Sequence, residues 1–258
     1  MSTWVLLRGL TRDSRHWGVF PAILRETLAD AEIVALDLPG NGRLNQMESP
    51  ACVEQMADYC HAEMQVRGLS PPYFLLAMSL GAMVAVAWAQ RHAHDIAGCV
   101  LINTSARSFS PFHQRLRPEN YPALVKRALL GGKPADWETM ILGLTSNRAD
   151  ASILDAWVAW RSEYPVSRRN ALRQLWAASC FRMNAKPAPR LLILASTGDR
   201  LVNPRCSRRI ALRWQTGFAE HPGAGHDIPL DDPCWVAGQV RDWLASISLG
   251  GRRFSGKD

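Results

Sequence analysis

Ser79, Asp199 and His226 are the three residues whose types and order could do chemistry together. A serine hydroxyl is scarcely ionised at neutral pH and attacks a carbonyl only when a neighbouring base takes its proton. Histidine is the side chain suited to that task near pH 7, and a carboxylate can hold the imidazole in the required tautomer. Ser79 stands at the centre of Ala77-Met78-Ser79-Leu80-Gly81. The apolar run Tyr73 to Leu76 before it predicts a buried strand. The Ala-rich stretch Leu80 to Gln90 after it is apolar almost all round and predicts a buried helix. A strand that becomes a helix without a loop forces its central residue into a strained, exposed conformation, with small residues needed two positions to either side. Ala77 and Gly81 meet that need, which is the G-x-S-x-G pattern with alanine first. Alone, the pentapeptide fits equally a serine capping an ordinary helix. Context decides.

The elements that must position these residues alternate. Thr3 to Arg8 predicts a first strand, and Glu32 to Asp37 a second that stops at Leu38-Pro39-Gly40-Asn41-Gly42. Between them, Ser14 is the expected cap of a helix running towards Ala29. Glu48 to Gly68 has amphipathic spacing and a glycine end. Gly98 to Thr104 and Arg190 to Thr197 predict further buried strands, Gly217 to Glu220 a short last one, and Pro233 to Ser246 a final helix. Strand and helix in turn imply a doubly wound, mostly parallel sheet. From Arg107 to Lys186 the rhythm breaks. No strand is evident there, and Pro122 to Leu130, Trp137 to Leu144, Ala151 to Glu163 and Arg168 to Ala178 read as helices. The expected organisation is an α/β core over residues 1–106 and 187–249, a helical cap over 107–186 inserted after the strand ending near Thr104, and a flexible tail over 250–258.

Composition narrows the class. The chain has 258 residues, 47% of them hydrophobic, which is enough for one sizeable core. No run approaches the length of a bilayer span. The six cysteines are scattered without a C-x-x-C pair, as expected of reduced thiols, and the start of the chain has no secretory pattern, so the expectation is a cytoplasmic protein. The net charge is +7, and residues 107–186 hold thirteen Lys/Arg against six Asp/Glu, an excess equal to that of the whole chain. Two readings stand: a solvated surface, or a partner or substrate carrying negative charge. No nucleic-acid motif accompanies the charge. His92-Ala93-His94 reads as a helix end, because residues two apart do not share a helix face, and Gly131-Gly132-Lys133 lacks the spacing of a phosphate loop. No metal or organic cofactor is expected.

In parallel α/β sheets, sites form beyond the carboxyl ends of the strands, where the order nucleophile, acid, histidine resembles that of the α/β-hydrolase superfamily. Four further segments strengthen the resemblance. Arg8-Gly9-Leu10 lies where that superfamily has a His-Gly-x oxyanion loop, and Asp37 to Gly42 resembles its D-x-P-G-x-G turn. Gly198-Asp199 with Arg200 to Val202 resembles its late acid segment, and Gly223-Ala224-Gly225-His226 its histidine loop. The resemblance covers nearly the whole chain. It implies Ser79 as nucleophile, His226 as base and then acid, Asp199 as its orienting partner, and the backbone N–H groups of Leu10 and Leu80 as the oxyanion hole. His226 is preferred to His221, which falls at a strand end. Asp227 and Asp231-Asp232 read as loop solvation and helix capping. Arg8 departs from the superfamily's histidine, and two roles stand level: binding a substrate carboxylate or phosphate, or pairing with a neighbouring acid. Trp157 and Trp160, three apart on one helix face, are either packing residues or the wall of an acyl pocket.

The activity so implied is hydrolysis of a carboxylic ester or thioester through an acyl-serine. Within the superfamily the basic helical segment most resembles carboxylesterases that demethylate pimeloyl esters on acyl carrier protein, with Arg115, Arg117, Lys126, Arg127 and Arg148 as counterparts by region. The implied partner is a small ester or acyl substrate, anionic or borne by an acidic carrier protein, with no nucleic acid and no membrane. A carbon–carbon bond hydrolase or menaquinone-pathway-type lyase shares the same three residues, and a non-catalytic ligand receptor shares the fold.

Overall fold

In the computed structural model, which describes residues 2–148 and 151–251, six strands form one sheet in the order β2-β1-β3-β4-β5-β6. They are β1 (Ser2–Leu7), β2 (Ala31–Leu36), β3 (Tyr73–Met78), β4 (Ile96–Ile102), β5 (Arg190–Ser196) and β6 (Gly217–His221). Every neighbouring pair is parallel. The strand order reverses between β1 and β3, the crevice at which α/β sheets place their sites.

Both faces of a parallel sheet are buried, so its strands are apolar on both sides. Val5 and Leu7 of β1 pack into one core with Leu75 and Ala77 of β3, while Trp4, Leu6, Leu76 and Met78 belong to the other. The first core is closed by α2 (Val53–Val66), α3 (Leu80–Arg91) and α9 (Arg205–Trp214), and the second by α1 (Phe20–Thr27) and α11 (Pro233–Gly251). Residues Leu80 to Ala89 of α3 are all buried, which is why that helix is apolar round its whole circumference.

Between β4 and β5 the described chain is helical: α4 (Phe112–Arg115), α5 (Tyr121–Leu130), α6 (Pro134–Thr145), α7 (Ala151–Glu163) and α8 (Arg168–Cys180). The short α10 (Ile228–Asp231) follows the histidine loop.

Three features depart from the expected or the usual. Asp13, not Ser14, caps the first turn, accepting from Arg15 N at 3.0 Å, and that turn is a 3-10 helix over Ser14–Trp17 that ends before α1 begins. The second change is at the end of the chain, where the last helix continues to Gly251. The expected tail therefore overlaps it, and the rest of that tail lies outside the described residues. Third, α8 has the reverse of the usual amphipathic pattern. Its buried positions include the polar Asn170 and Gln174, whereas Leu172, Leu175 and Trp176 are exposed.

Candidate active site

Ser79 lies between the last residue of β3 and the first of α3, with φ 54° and ψ −119°. A non-glycine residue rarely takes positive φ, and such strain persists only where the surroundings impose it. Here they do. Ser79 N donates to Ile102 O at 2.9 Å, and Ser79 O accepts from Met83 N at 3.3 Å and Thr104 Oγ1 at 3.2 Å. The small residue that the sequence calls for at position 81 is required by a neighbouring strand. A Cβ on Gly81 would sit 2.4 Å from the carbonyl oxygen of Leu7 and 2.5 Å from that of Arg8, at the end of β1. Gly9 likewise abuts the serine, since a Cβ there would approach Ser79 Cβ to 3.2 Å.

His226 and Asp199 meet, although 27 residues separate them. His226 Nδ1 bonds Asp199 Oδ2 at 2.7 Å, with both side chains buried. Asp199 is fixed from its other oxygen, which accepts from Leu201 N at 2.8 Å and Val202 N at 2.9 Å. With Nδ1–H donated to the carboxylate, the free lone pair belongs to Nε2. That nitrogen is buried and has no hydrogen-bond partner among the described residues, and an unpartnered buried polar atom calls for an explanation. His226 and Ser79 line one cavity of about 740 Å³, together with Leu10 and Leu80. Leu80 opens α3, where first-turn N–H groups have no acceptor within the helix.

Sequence reasoning missed two residues that position this site. Asn103, at φ 44°, follows β4. Its Nδ2 donates to His226 O at 2.7 Å, its Oδ1 accepts from Ser196 N at 3.0 Å, and its backbone N donates to Leu194 O at 2.9 Å. One side chain thus ties the histidine loop to two strand ends. A polar residue directly after the run Gly98 to Ile102 was the available signal. Gln174 of α8 accepts from Thr11 N at 2.9 Å and donates to Asn41 Oδ1 at 2.8 Å and Ser49 Oγ at 2.9 Å. It holds the loop that carries Leu10 from 163 residues away, and nothing local marks it.

Arg8 lines the cavity but is engaged. Nη1 donates to Asp227 Oδ1 at 3.1 Å and Nη2 donates to Oδ2, with the guanidinium 4.7 Å from the centre of the Trp17 ring. Asp227 is therefore a buried ion-pair partner, not a solvated loop residue. Trp157 is buried against Arg12, 4.2 Å from its guanidinium, and against His16; Trp160 lies over Arg15 and beside His16. Neither is among the cavity-lining residues. Both pack around a polar knot in which Arg12 Nη1 donates to Glu138 Oε2 at 2.7 Å and Arg161 donates to Oε1. Burial works against the charge of Glu138, yet Arg12 and Arg161 together hold its pKa below the ordinary value. His16 is pushed down to about 4 by burial and by the charge of Arg12.

His221 ends β6; its Nε2 bonds Asp232 at 3.2 Å and its Nδ1 accepts from Ala224 N at 2.8 Å, so both ring nitrogens are engaged. His92 ends α3. Among the described residues, one group could offer three ligand atoms to a metal, His61, His92 and Asp95, all within 4.8 Å of one another. The two rings are stacked with centroids 3.8 Å apart, and His61 Nε2 is bonded to Asp95 at 3.0 Å, so these side chains are engaged with one another.

Residues 4–239 match the sequence model of the alpha/beta hydrolase family. The chain belongs to that family. Solved structures similar to this hydrolase include a thermophilic esterase from Thermogutta terrifontis at 22% identity, with TM-score 0.70 and coverage of 96% of this chain and 90% of that one. The enol-lactonase from Burkholderia xenovorans is 20% identical, with TM-score 0.75 and coverage of 95% and 91%. An esterase from Exiguobacterium antarcticum is 13% identical, with TM-score 0.77 and coverage of 95% and 92%. At such identities the likeness concerns the fold. No curated protein matches the sequence.

Proposed function

We propose that this alpha/beta hydrolase cleaves a carboxylic ester or thioester through an acyl-serine, with Ser79 as nucleophile, His226 as base and acid, and Asp199 as the group that orients the imidazole. The observation that carries the reading is the Asp199–His226 bond, which leaves Nε2 buried and unpartnered in the cavity that the strained Ser79 also lines.

The steps follow from those positions. Ser79 Oγ attacks the carbonyl carbon as its proton passes to His226 Nε2, and Asp199 stabilises the imidazolium without taking the proton. The Leu80 and Leu10 N–H groups receive the developing oxyanion, the first helped by the positive end of α3. His226 then protonates the departing alcohol or thiol, and a water activated by the same nitrogen releases the acid. None of these steps calls on a metal or cofactor. The helices between β4 and β5 serve as a cap, since Leu124, Trp137, Met140, Ile141 and Leu172 supply apolar walls to the cavity. A space of about 740 Å³ suits a small-molecule ligand.

Hydrolysis of p-nitrophenyl esters from acetate to decanoate by the wild type and Ser79→Ala tests this reading. A chain-length optimum that Ser79→Ala abolishes is the expected result. A folded wild type inactive across the whole series would exclude the simple esterase.

A further inference from the structure

The outward face of α8 is built the wrong way round for a helix in water. An amphipathic helix ordinarily turns its apolar stripe to the core. In α8 the core side holds Asn170 and Gln174, whose amides are spent on Met47 O, Ser49 N, Thr11 N and Asn41. The solvent side holds Leu172 at 65% exposure and Trp176 at 63%, with Leu175 between them. Beside it, α5 exposes Leu129 and Leu130, each at 75%. The two helices meet at their ends, since a Cβ on Gly131 would approach Arg168 Nη2 to 2.7 Å. The patch is continuous with the mouth of the catalytic cavity, because Leu172, Leu175 and Phe112 line both that cavity and an apolar hollow beside Trp176.

Charge surrounds this apolar surface. Residues 112–133 and 167–182 carry nine Lys/Arg; Arg115, Arg117 and Arg127 are engaged within the chain, the last also by Asp136 at 3.3 Å, which leaves Lys126, Lys133, Arg168, Arg169, Arg173 and Arg182 against the single acid of these stretches, Glu119. Glu48 is shared by Arg169 and Arg173, at 2.7 and 2.9 Å, so one carboxylate faces two guanidinium groups and positive charge remains in excess.

We propose that this α5–α8 face seats the protein on an anionic lipid surface, from which an amphiphilic ester enters the cavity. The ester's role rests on the serine-hydrolase reading, whereas the seating does not. Leucine and tryptophan side chains enter the headgroup boundary while arginine and lysine meet anionic headgroups, the pattern of helices that lie on membranes. A second copy of the chain is disfavoured, because two such basic faces would repel. A protein partner would cover the mouth of the cavity, whereas a lipid surface both covers the patch and supplies the substrate. Four of the five basic residues that suggested a carrier protein have partners within the chain. Arg115 donates to the carbonyls of Ala178 and Ser179, Arg117 to Asp199 O, Arg127 to Gly131 O, and Arg148 to Asp232. The expectation of no membrane partner rested on the lack of a spanning segment. Indeed, no helix among the described residues is long and apolar enough to cross a membrane, but lying on one needs no span.

The test is co-flotation of the full chain with vesicles of phosphatidylcholine alone or mixed equally with phosphatidylglycerol. Wild type and Ser79→Ala should bind the anionic vesicles at least about tenfold more tightly than the neutral ones, and less tightly as salt rises. The double variant Leu129→Glu/Trp176→Glu, altered at exposed positions outside the catalytic cavity, should lose about tenfold or more of that binding. It should still hydrolyse a short, water-soluble p-nitrophenyl ester at the wild-type rate. Absence of vesicle binding, or binding that the double variant retains, overturns the proposal. So does self-association relieved by the same substitutions. Vesicle binding without ester hydrolysis would keep the seating and remove the hydrolase reading, and the converse would do the opposite.

Discussion

Arg8 and Asp227 form a buried, two-pronged ion pair that joins the end of β1 to the residue following His226. The first of these segments leads into the Gly9-Leu10 loop and the second belongs to the histidine loop, so the pair clamps together the two chain segments between which the proposed reaction would place a carbonyl group. Asp227 also accepts from Leu230 N at 3.3 Å and so caps α10. A guanidinium here serves the architecture, and its two parallel bonds explain why a lysine could not stand in.

Removing one partner strands the other. Arg8→Met should cost about 3–5 kcal/mol, because Asp227 is left as an unpaired buried carboxylate. The double change Arg8→Met/Asp227→Leu should cost distinctly less, as an apolar pair leaves no orphaned charge. Urea unfolding of the wild type, Arg8→Met, Asp227→Leu and the double variant checks this. A double variant as unstable as the sum of the singles would show that the pair acts through something other than mutual neutralisation.

Asp199→Asn is expected to keep the fold and lose the chemistry. The amide oxygen can still accept from Leu201 and Val202 N, which presents the NH2 group to His226 Nδ1. Nδ1 must then accept, the proton moves to Nε2, and the ring can no longer take the proton of Ser79. By analogy with other serine triads, kcat should fall about 10⁴-fold with little change in KM. Steady-state kinetics together with a melting curve would separate this from simple unfolding.

How much of this was legible in the sequence depended on whether the signal was local. Ser79, the strand before it and the helix after it were readable because a short apolar run, two small residues and an all-round apolar helix lie within twenty positions. The order of Ser79, Asp199 and His226 at strand ends was readable because the alternation of elements forces a parallel sheet. The sequence does not decide between two roles for Arg8, since its partner lies 219 residues away and only the fold brings them together. Trp157 and Trp160 share a helix face as expected, but spacing within a helix does not say what that face meets. It meets Arg12, Arg15 and His16. The reversed face of α8 was hidden because Asn170 and Gln174 look like surface residues until their partners are known.

The polar knot beside Trp157 predicts a pH dependence. His16 has a folded pKa of about 4, lowered by burial and by Arg12, against an ordinary value of 6.5. The unfolded chain therefore binds a proton between these limits that the folded protein refuses. Stability is complete above pH 6.5 and declines as pH falls towards about 4, by roughly 3 kcal/mol in all. Glu138, also held below its ordinary value of 4.5, contributes in the same direction mostly at lower pH. Unfolding free energies measured from pH 7.5 to 4 should show this slope, and His16→Gln should flatten it above pH 4.5. A slope unchanged by the substitution would assign the effect to other groups.

Asn103 offers a test of positioning without contact to the reacting atoms. Its side chain holds the His226 carbonyl and the Ser196 N–H, and its backbone stands at positive φ. Asn103→Gly removes the side chain while tolerating the backbone conformation, whereas Asn103→Ala adds left-handed strain to the same loss. Both should lower kcat by about ten- to a hundredfold, because a shift of the imidazole by a fraction of an ångström spoils the approach of Nε2 to Ser79. KM should stay within about twofold, since Asn103 is not the group that grips the acyl chain. Only Asn103→Ala should lose further stability, by about 1 kcal/mol relative to Asn103→Gly. A variant with normal kcat and lowered melting temperature would reduce Asn103 to a scaffold role, and equal melting temperatures for the two would remove the strain argument.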